Sequence, residues 1–307
     1  MTFTASLSTS APTAASPAPF VPAPLVSTQW LADHLGTDSL VVADATVLQI
    51  AGPGGKPAYI SGDEEYLVHG HVPGAVFADI LETFSDPHGR HGFARPTSEQ
   101  FEQAAASIGV DNDTTLVVYD NAAGQWASRI WWLFRAFGYD RVAVLDGGLK
   151  KWIAEDRPVD VGHVTARDGA RFTAHERPEF WADKHAVAAI VSGESAGSLI
   201  CAVPQKEFSG ASGNRARAGH IPGSFSAPAS RLVDRTTNAY LAPELLRQLF
   251  AEALASEARI VTYCGGGIAA ASDALALALL GREDVAVYDG SLNEWAADAD
   301  APLVTTA

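Results

Sequence analysis

Short apolar runs rich in β-branched residues alternate along this chain with segments in which apolar positions recur every three or four residues. The short runs are typical of buried parallel strands, and the longer segments have the periodicity of helices. Strands are predicted at Leu40 to Ala43, Leu116 to Tyr119, Val142 to Leu145, Ser198 to Val203, Ile260 to Tyr263 and Val285 to Tyr288, and helices at Ser98 to Ile108, Gln125 to Phe137, Pro243 to Ala255 and Ile268 to Leu280. This alternation predicts an α/β fold in which mostly parallel sheets are flanked by helices.

The second half of this pattern repeats the first. Three motifs recur in the same order at nearly constant spacing, which is the signature of internal duplication. They are Gly70 to Val76 with Gly219 to Phe225, Val117 to Asp120 with Val261 to Cys264, and Val142 to Leu149 with Val285 to Leu292, after which Trp152 matches Trp295. Three ordered matches predict a tandem repeat of one domain.

The repeat divides the chain into four predicted parts. Residues 1–24 contain five prolines and no charged residue, which is typical of a disordered tail, and they lack the basic residues of a secretory signal or transit peptide. Residues 25–155 form the first α/β domain, and residues 184–307 form the second. The segment between them, residues 156–183, is rich in Arg, Asp, Gly and Pro and is predicted to be a linker.

Composition then excludes several classes of function. Apolar residues make up 47% of the chain, enough for packed cores. The net charge of −15 repels phosphate backbones, so no nucleic-acid partner is expected. No apolar run approaches the roughly 20 residues that span a bilayer, so no membrane association is expected. Two cysteines, Cys201 and Cys264, are too few for a disulfide scaffold and indicate a reducing compartment, the cytoplasm.

The chemistry of the chain is predicted to lie at Cys264, which follows a strand and precedes the run Gly265 to Gly267 and a helix that begins near Ile268. Ligands bind at the carboxyl ends of strands in such sheets. Glycines allow several backbone amides to point inward, and the helix adds the positive end of its dipole. These features are expected to lower the thiol pKa and to stabilise a thiolate or persulfide anion. A structural buried cysteine is the alternative, whereas a cysteine phosphatase is excluded because Ala270 stands where its loop needs arginine.

Several of these motifs together give the chain a family resemblance. They are both Gly-His-x-Pro-Gly motifs, the Trp131–Trp132 pair, Leu145 to Gly148, the Cys264 loop, and Tyr288 to Ser291 followed by Glu294 and Trp295. In this order, from about Val26 to Pro302, the chain resembles the two-domain rhodanese family, which includes thiosulfate and 3-mercaptopyruvate sulfurtransferases. The resemblance implies tandem rhodanese-like domains, the second catalytic and the first inactive. Asp120 at the cysteine position of the first copy agrees, because a carboxylate cannot carry sulfur.

The resemblance also implies a two-step reaction without a metal or an organic cofactor. The Cys264 thiolate takes sulfane sulfur from a small donor, thiosulfate or 3-mercaptopyruvate, and becomes a persulfide. The persulfide is held by the anion-binding loop, which comprises Gly265, Gly266, Gly267, Ile268 and Ala269. A thiophilic acceptor, such as cyanide, a small thiol or a thioredoxin-like protein, then removes the sulfur.

Donor specificity depends on a few further positions. Thiosulfate-specific members of the family carry basic residues in the loop, whereas mercaptopyruvate-specific members carry a hydroxyl where this chain has Gly266. That hydroxyl belongs to a proposed relay, in which His71 and Asp63 are possible members from the first domain; the alternative for the histidine is a turn residue that orients the loop. Arg215 and Arg217 are the candidates for binding the donor's carboxylate or sulfonate, and the alternative is that both are surface charges.

Three departures from the family pattern keep a second function open. They are Gly266, Ser209 where the family often has arginine, and Val203 where it has the arginine of an Asp-x-Arg sequence. The alternative function is a rhodanese-like module that carries or senses persulfide for a partner protein, with little turnover on small donors. Cys201, in place of the aspartate of Asp-x-Arg, is interpreted as a small buried residue, and a competing hypothesis makes it a resolving thiol for Cys264.

Overall fold

The computed structural model describes residues 18–55, 57–213, 215 and 217–306. In chain order the first half contains β1 (Leu25–Val26), α1 (Thr28–His34), β2 (Leu40–Asp44), β3 (Val47–Ala51), β4 (Pro57–Ser61), α2 (Asp63–His69), β5 (Val76–Phe77), α3 (Ser98–Ser107), β6 (Thr115–Tyr119), α4 (Gln125–Ala136), β7 (Val142–Leu145) and α5 (Gly148–Ala154). Five of these strands form a parallel sheet in the order β1-β7-β6-β2-β5. Strands β3 and β4 form a separate antiparallel hairpin.

The second half repeats this arrangement. It contains β8 (Trp181–Ala182), α6 (Lys184–Ser192), β9 (Ser198–Cys201), α7 (Gln205–Phe208), β10 (Ser224–Ser226), α8 (Pro243–Leu249), α9 (Ala251–Leu254), β11 (Ile260–Tyr263), α10 (Ile268–Leu279), β12 (Val285–Tyr288) and α11 (Ser291–Trp295). Its strands form a second parallel sheet in the order β8-β12-β11-β9-β10, which matches the first sheet strand by strand. The predicted tandem α/β fold with parallel sheets flanked by helices is confirmed.

The inner strands are covered on both faces, which explains why their sequences consist mostly of apolar residues. Every residue of β6, β7, β9, β11 and β12 is buried. The bounds of β7, β11 and β12 are those predicted. The predicted helix Pro243 to Ala255 is instead divided into α8 and α9, because the chain leaves helical geometry at Phe250, whose ring is buried in the core.

The predicted tail and linker both have contacts with the domains. Residues 1–17 of the tail lie outside the described residues, but in residues 18–24 the Pro24 carbonyl accepts a hydrogen bond from the Val144 amide at 2.8 Å. Within the predicted linker, Phe172 is buried in the aromatic core of the first domain, and β8 already belongs to the second sheet. The connection between the two sheets is therefore anchored at Phe172 and at β8, whereas most of its other residues are exposed or half-buried.

The two domains share one core. Helices α4 and α10, which are equivalent in the repeat, pack against each other, and a single apolar cluster runs through both domains. Two long segments cross between the domains: the first crossing loop, residues 78–97, joins β5 to α3, and the second crossing loop, residues 227–242, joins β10 to α8. All helices of the described ranges are too short or too polar to span a bilayer.

Each crossing loop is anchored by an aspartate of the opposite domain. Asp289, which follows β12, accepts a hydrogen bond from the Arg95 amide of the first crossing loop at 2.9 Å. Asp146, which follows β7, accepts one from the Tyr240 amide of the second crossing loop at 2.8 Å. The aspartate of the repeated Asp-Gly motif therefore serves to join the two copies.

Candidate active site

Cys264 is the first residue after β11, so it lies at the carboxyl edge of the second sheet, and it is only 4% exposed. Ser291 closes the loop that follows. Its Oγ accepts hydrogen bonds from the amides of Cys264 and Gly267, both at 3.1 Å, and donates one to the Tyr288 carbonyl at 2.7 Å. One buried hydroxyl thus holds both ends of the cysteine loop.

Ser291 keeps this position at a conformational cost. Its φ is +48°, in the left-handed region that side chains disfavour, and the equivalent residue of the first domain is Gly148, with φ of +55°. Sequence reasoning noted the motif that contains Ser291 but gave the residue no role. The available signal was a difference between the repeats, because a hydroxyl stands where the inactive copy has a glycine.

The glycines of the cysteine loop provide space as well as a turn. Gly267 adopts φ of +80° and directly precedes α10. A Cβ on Gly265 would lie 2.6 Å from Arg215 Nη2, and a Cβ on Gly266 would lie 3.1 Å from Asn293 Nδ2. The arginine and the asparagine can approach the loop this closely only because no side chains stand there.

The first domain shows what kind of group such a loop binds. Asp120 occupies the cysteine position, and its buried carboxylate accepts four hydrogen bonds of 2.8 to 3.0 Å from the backbone amides of Ala122, Gly124, Trp126 and Ala127. Burial raises the pKa of Asp120, and the amides oppose that shift because they stabilise the carboxylate. The inactive loop is an anion-binding site that its own side chain fills.

The Cys264 loop has the same design with one residue fewer. Gly124 and Gly267 are equivalent, since each adopts φ near +80° and directly precedes its helix, α4 or α10. Within the described ranges, no hydrogen bond engages the backbone amides of Gly265, Gly266, Ile268, Ala269 and Ala270. The predicted loop therefore presents unused donors beside the thiol.

Of the two arginines considered for donor binding, Arg215 faces this loop. Its guanidinium forms an ion pair with Glu207, and its Nε donates to Asn293 Oδ1 at 3.3 Å. Burial lowers the pKa of Arg215, and negative charge at Cys264 opposes that shift. Arg215 is therefore the cation through which an anionic donor would be attracted to the loop.

Arg217 has different contacts. Its guanidinium donates to the carbonyls of Asp298 and Ala301, at 2.5 and 2.6 Å. Both of these acceptors belong to the segment that follows α11. These contacts engage the guanidinium in holding the C-terminal segment, and the binding role of Arg217 stays a prediction.

The contacts of His71 are with the first domain and with the segment that follows it. Its two ring nitrogens are each 3.1 Å from a carbonyl, of Val72 and Gly162, and its buried ring stacks on Tyr66 with 4.1 Å between centroids. Asp63 is exposed on α2, and within the described residues no hydrogen bond or ion pair joins it to the histidine. These contacts fit the alternative, a turn histidine, and the relay of His71 and Asp63 stays a prediction.

Cys201 is buried at the end of β9 and forms no disulfide with Cys264. Burial raises the pKa of its thiol to about 12. Because the thiolate is the nucleophilic form, a thiol with so high a pKa reacts poorly. The environment of Cys201 favours its interpretation as a small core residue over a resolving thiol.

The first domain covers the open side of the cysteine loop with aromatic residues. A ring carbon of Phe93, in the first crossing loop, lies 3.9 Å from the place of a Cβ on Gly266. The rings of Phe93, Trp126 and Tyr59 pack edge to face with 5.5 Å between each pair of centroids. Burial, followed by negative charge at Cys264, raises the pKa of Tyr59, so its hydroxyl is a neutral group at the mouth of the site.

Arg129 of α4 fastens the two domains beside this loop and is only 1% exposed. Its guanidinium donates to Asp289 Oδ1 at 2.5 Å and to the Phe93 carbonyl at 3.0 Å. It also lies 3.5 Å from the Gly267 carbonyl and 5.2 Å from the centroid of the Trp181 ring. Sequence reasoning missed Arg129; the available signal was one charged residue on the apolar face of a helix.

These contacts define the chemistry that the site can support. A thiol lies beside unused backbone donors, a guanidinium and a helix N-terminus, all of which favour negative charge on sulfur. Among the described residues, no group of three or more His, Cys, Asp or Glu side chains is arranged to hold a metal ion. The arrangement suits a reaction in which a sulfur anion attacks a small anionic molecule.

Comparison with known proteins gives the following similarities. A family model described as "Rhodanese-like domain" matches residues 27–155 and 192–298, one match in each half of the chain. The 3-mercaptopyruvate sulfurtransferase of Escherichia coli K12 is 35% identical over 281 residues, which cover 91% of this chain and 96% of that protein. The thiosulfate sulfurtransferase of Cricetulus griseus is 33% identical over 288 residues, which cover 88% and 91%.

Solved structures are similar over the same extent. The crystal structure of SseA, a 3-mercaptopyruvate sulfotransferase from Escherichia coli, matches with a TM-score of 0.76 and 33% identity, over 88% of this chain and 98% of that one. The structure of Tum1 from Saccharomyces cerevisiae matches with a TM-score of 0.78 at 22% identity, over 92% and 98%. The second likeness concerns the fold alone.

Proposed function

This chain belongs to the rhodanese family of sulfurtransferase enzymes, and from that premise we propose that it transfers sulfane sulfur through a persulfide on Cys264. The carboxylate of Asp120 in the equivalent loop carries this proposal. An aspartate oxygen and the outer sulfur of a cysteine persulfide are each three bonds from Cα. Four amides meet the aspartate oxygens in the first domain. Beside Cys264, the amides of Ala269 and Ala270, which are equivalent to those of Trp126 and Ala127, have no acceptor within the described ranges, whereas the Gly267 amide donates to Ser291 Oγ.

In the proposed first step, the Cys264 thiolate attacks the transferable sulfur of a small donor. An S–S bond forms, the bond between that sulfur and the rest of the donor breaks, and its electron pair leaves with the donor fragment. That fragment is sulfite from thiosulfate or the enolate of pyruvate from 3-mercaptopyruvate. The negative persulfide then lies among the loop amides, where a helix N-terminus also stabilises it.

We propose 3-mercaptopyruvate as the preferred donor. Arg215 is the cation at the loop, and Glu207 already neutralises part of its charge. This pair suits the single carboxylate of 3-mercaptopyruvate better than the double charge of thiosulfate. The name of the Escherichia coli relative points to the same donor.

In the proposed second step, a thiophilic acceptor attacks the outer sulfur and returns Cys264 to a thiolate. A small thiol, cyanide or a thioredoxin-like protein would satisfy this chemistry. Two unpaired cysteines fit the reducing cytoplasm in which such acceptors are found. These acceptors and this compartment stay proposals.

Intact mass after incubation with each donor tests the function. We expect a gain of about one sulfur atom with 3-mercaptopyruvate, a smaller fraction loaded with thiosulfate, and no gain in a Cys264→Ser variant. Addition of cyanide should return the original mass and permit further rounds. A protein that loads once and stalls would instead support the alternative of a persulfide carrier, and absence of any gain would contradict both.

A further inference from the structure

The side chain of Asn293 has a fixed orientation over the cysteine loop. Asn293 lies in α11, and its backbone amide donates to the Gly265 carbonyl at 2.9 Å, which holds the residue against the loop. Its Oδ1 accepts a hydrogen bond from Arg215 Nε at 3.3 Å. Because a guanidinium can only donate, the amide oxygen must face Arg215 and the amide nitrogen must face the other way.

The amide nitrogen then points to the place that a side chain would take on Gly266. A Cβ built on Gly266 would lie 3.1 Å from Asn293 Nδ2. Within the described ranges, this nitrogen donates to no acceptor, and Asn293 is exposed to solvent at the mouth of the site. A donor group with no partner therefore stands above the loop, within reach of a bound small molecule.

We propose that Asn293 determines which sulfur donor the enzyme prefers, by donating from Nδ2 to the keto oxygen of a 2-oxo acid. This inference rests on the proposed function. Arg215 would hold the donor's carboxylate while Asn293 holds the adjacent oxygen, so a 2-oxo carboxylate satisfies both groups. Thiosulfate has no keto group, and its transfer gains less from a hydrogen bond at that place.

The chemistry of the first step gives this hydrogen bond its effect. When the Cys264 thiolate attacks the sulfur of 3-mercaptopyruvate, the C–S bond breaks and its electron pair is delocalised onto the keto oxygen as an enolate. The carbon later takes a proton from solvent to give pyruvate. A hydrogen bond to an oxygen that gains negative charge strengthens in the transition state, so Asn293 accelerates this step as well as binding the donor.

The test measures persulfide formation by single-turnover mass spectrometry with each donor. In Asn293→Ala, we expect the second-order rate constant with 3-mercaptopyruvate to fall about ten- to a hundred-fold, as for loss of a hydrogen bond to a charged oxygen, and the constant with thiosulfate to change by less than about threefold. Asn293→Asp keeps the shape and the Arg215 contact but replaces the donor with an acceptor, so it should lose at least as much. Asn121→Ala, an exposed asparagine in the equivalent loop of the inactive domain, is the matched control and should leave both rates unchanged.

A double variant separates a specific role from a general disturbance. In Gly266→Ser the new side chain contacts Asn293 Nδ2, so the rate of persulfide formation with 3-mercaptopyruvate should fall. In Asn293→Ala/Gly266→Ser the amide is absent and the serine hydroxyl can take its place, so this rate should be at least tenfold higher than in Asn293→Ala. Equal losses with both donors, or no loss with 3-mercaptopyruvate, would overturn the inference while the loading of the wild-type protein still supports the proposed function. If the wild-type protein itself gains no sulfur, the function and this inference both fail.

Discussion

At the scale of single residues, Asp120 and Cys264 show how one kind of loop serves two purposes. Both residues follow the central strand of their sheet, and both precede a helix that begins after a left-handed glycine. In the first domain the side chain reaches the loop amides itself. In the second domain the cysteine side chain is too short to do so, and the amides of Gly265, Gly266, Ile268, Ala269 and Ala270 have no acceptor within the described ranges. The proposed persulfide would place its outer sulfur among these amides, which the side chain alone does not reach.

The substitution Cys264→Asp should fill that site permanently. The new carboxylate should accept hydrogen bonds from the loop amides as Asp120 does, because its oxygens lie as many bonds from Cα as the outer sulfur of a persulfide. We expect no gain of sulfur from either donor, and a free energy of unfolding higher by about 1–3 kcal/mol than that of Cys264→Ser. Urea denaturation near pH 7 measures the difference. A Cys264→Asp protein that unfolds more easily than Cys264→Ser would show that the two loops are not equivalent.

The hydroxyl of Ser291 should matter for stability and for rate together. Ser291→Ala leaves the buried amides of Cys264 and Gly267 without their acceptor, at a cost of roughly 2–4 kcal/mol in the free energy of unfolding. Ser291→Gly loses the same acceptor but removes the left-handed strain, so it should be about 1 kcal/mol more stable than the alanine variant. Urea denaturation and the rate of persulfide formation check both expectations. If alanine proves as stable as serine, the hydroxyl does not hold the loop.

The sequence predicted a candidate nucleophile and its loop because their signal is local. A strand, a cysteine and three glycines are consecutive, and the chemistry follows from their order. The roles of Arg129 and Asn293 could not be predicted in this way, since each acts on residues that are distant in sequence. His71 and Arg217 show the converse: both are chemically suited to a site, but their contacts are with carbonyls elsewhere.

At the scale of secondary-structure elements, the repeated motifs have structural roles that spacing alone does not reveal. His71 pairs through its backbone with Asp160, and the equivalent His220 pairs with Val304. His220 also stacks on Phe208, as His71 stacks on Tyr66, so each copy uses its histidine to join an aromatic ring to the segment after its last helix. The strand pattern predicted the inner strands closely because burial on both faces favours apolar residues there, but it did not predict the short edge strands β1, β5, β8 and β10. The pairings of the histidines depend on the assembled fold.

The packing of α4 against α10 contains one unfavourable group. Asp273 of α10 is fully buried, neither carboxylate oxygen has a hydrogen-bond partner in the described part of the chain, and burial raises its pKa well above the usual value. Its equivalent in α4 is Ile130, an ordinary core residue. Burial therefore favours the protonated carboxyl group in the folded protein, and ionisation favours unfolding.

Stability should consequently fall as pH rises. Below the carboxyl pKa of the unfolded chain, about 4, both states hold the proton; above it only the unfolded state ionises, so stability is lost until the folded pKa is reached. Asp44, whose burial raises its pKa to about 6, adds a loss of the same sign between pH 4 and 6. We expect Asp273→Asn to remove the decline that continues above pH 6, and Asp273→Ile to raise the free energy of unfolding at pH 7 by about 2 kcal/mol. Urea titrations from pH 4 to 8 measure both, and an unchanged slope in Asp273→Asn would contradict the expectation.

At the scale of the whole molecule, the catalytic site belongs to both domains. The first domain contributes Phe93, Tyr59 and Arg129 around a loop whose cysteine belongs to the second. The second domain contributes to the first in the same way, because Asn238 of the second crossing loop donates to the Ala122 carbonyl in the loop of Asp120 at 2.6 Å. The first domain, which is predicted to be inactive, therefore forms part of the candidate site of the second.

Removal of the central cation should loosen this arrangement. Arg129→Met leaves Asp289 without its guanidinium at the interface, and we expect a loss of about 3 kcal/mol or more in the free energy of unfolding, with faster alkylation of Cys264 by a neutral reagent as the Phe93 cover loosens. Arg135→Met, on the same helix but at a partly exposed ion pair, is the control and should cost less than about 1 kcal/mol. Equal effects of the two substitutions would mean that Arg129 has no special part in joining the domains.

The order of the two copies along the chain has a consequence for biosynthesis. Domains generally fold from the N-terminus as they leave the ribosome. Phe93, Tyr59 and Arg129 are translated before Cys264, the proposed nucleophile, so the cysteine loop emerges after the first-domain residues that surround it. The loop of Asp120 gains its contacts with residues 227–242 only after these are translated, but a carboxylate is not oxidised in the meantime. A circular permutant that places the second copy first would reverse this order of synthesis. The Cys264 thiol of the nascent chain would then be exposed before the first-domain residues that cover it are made.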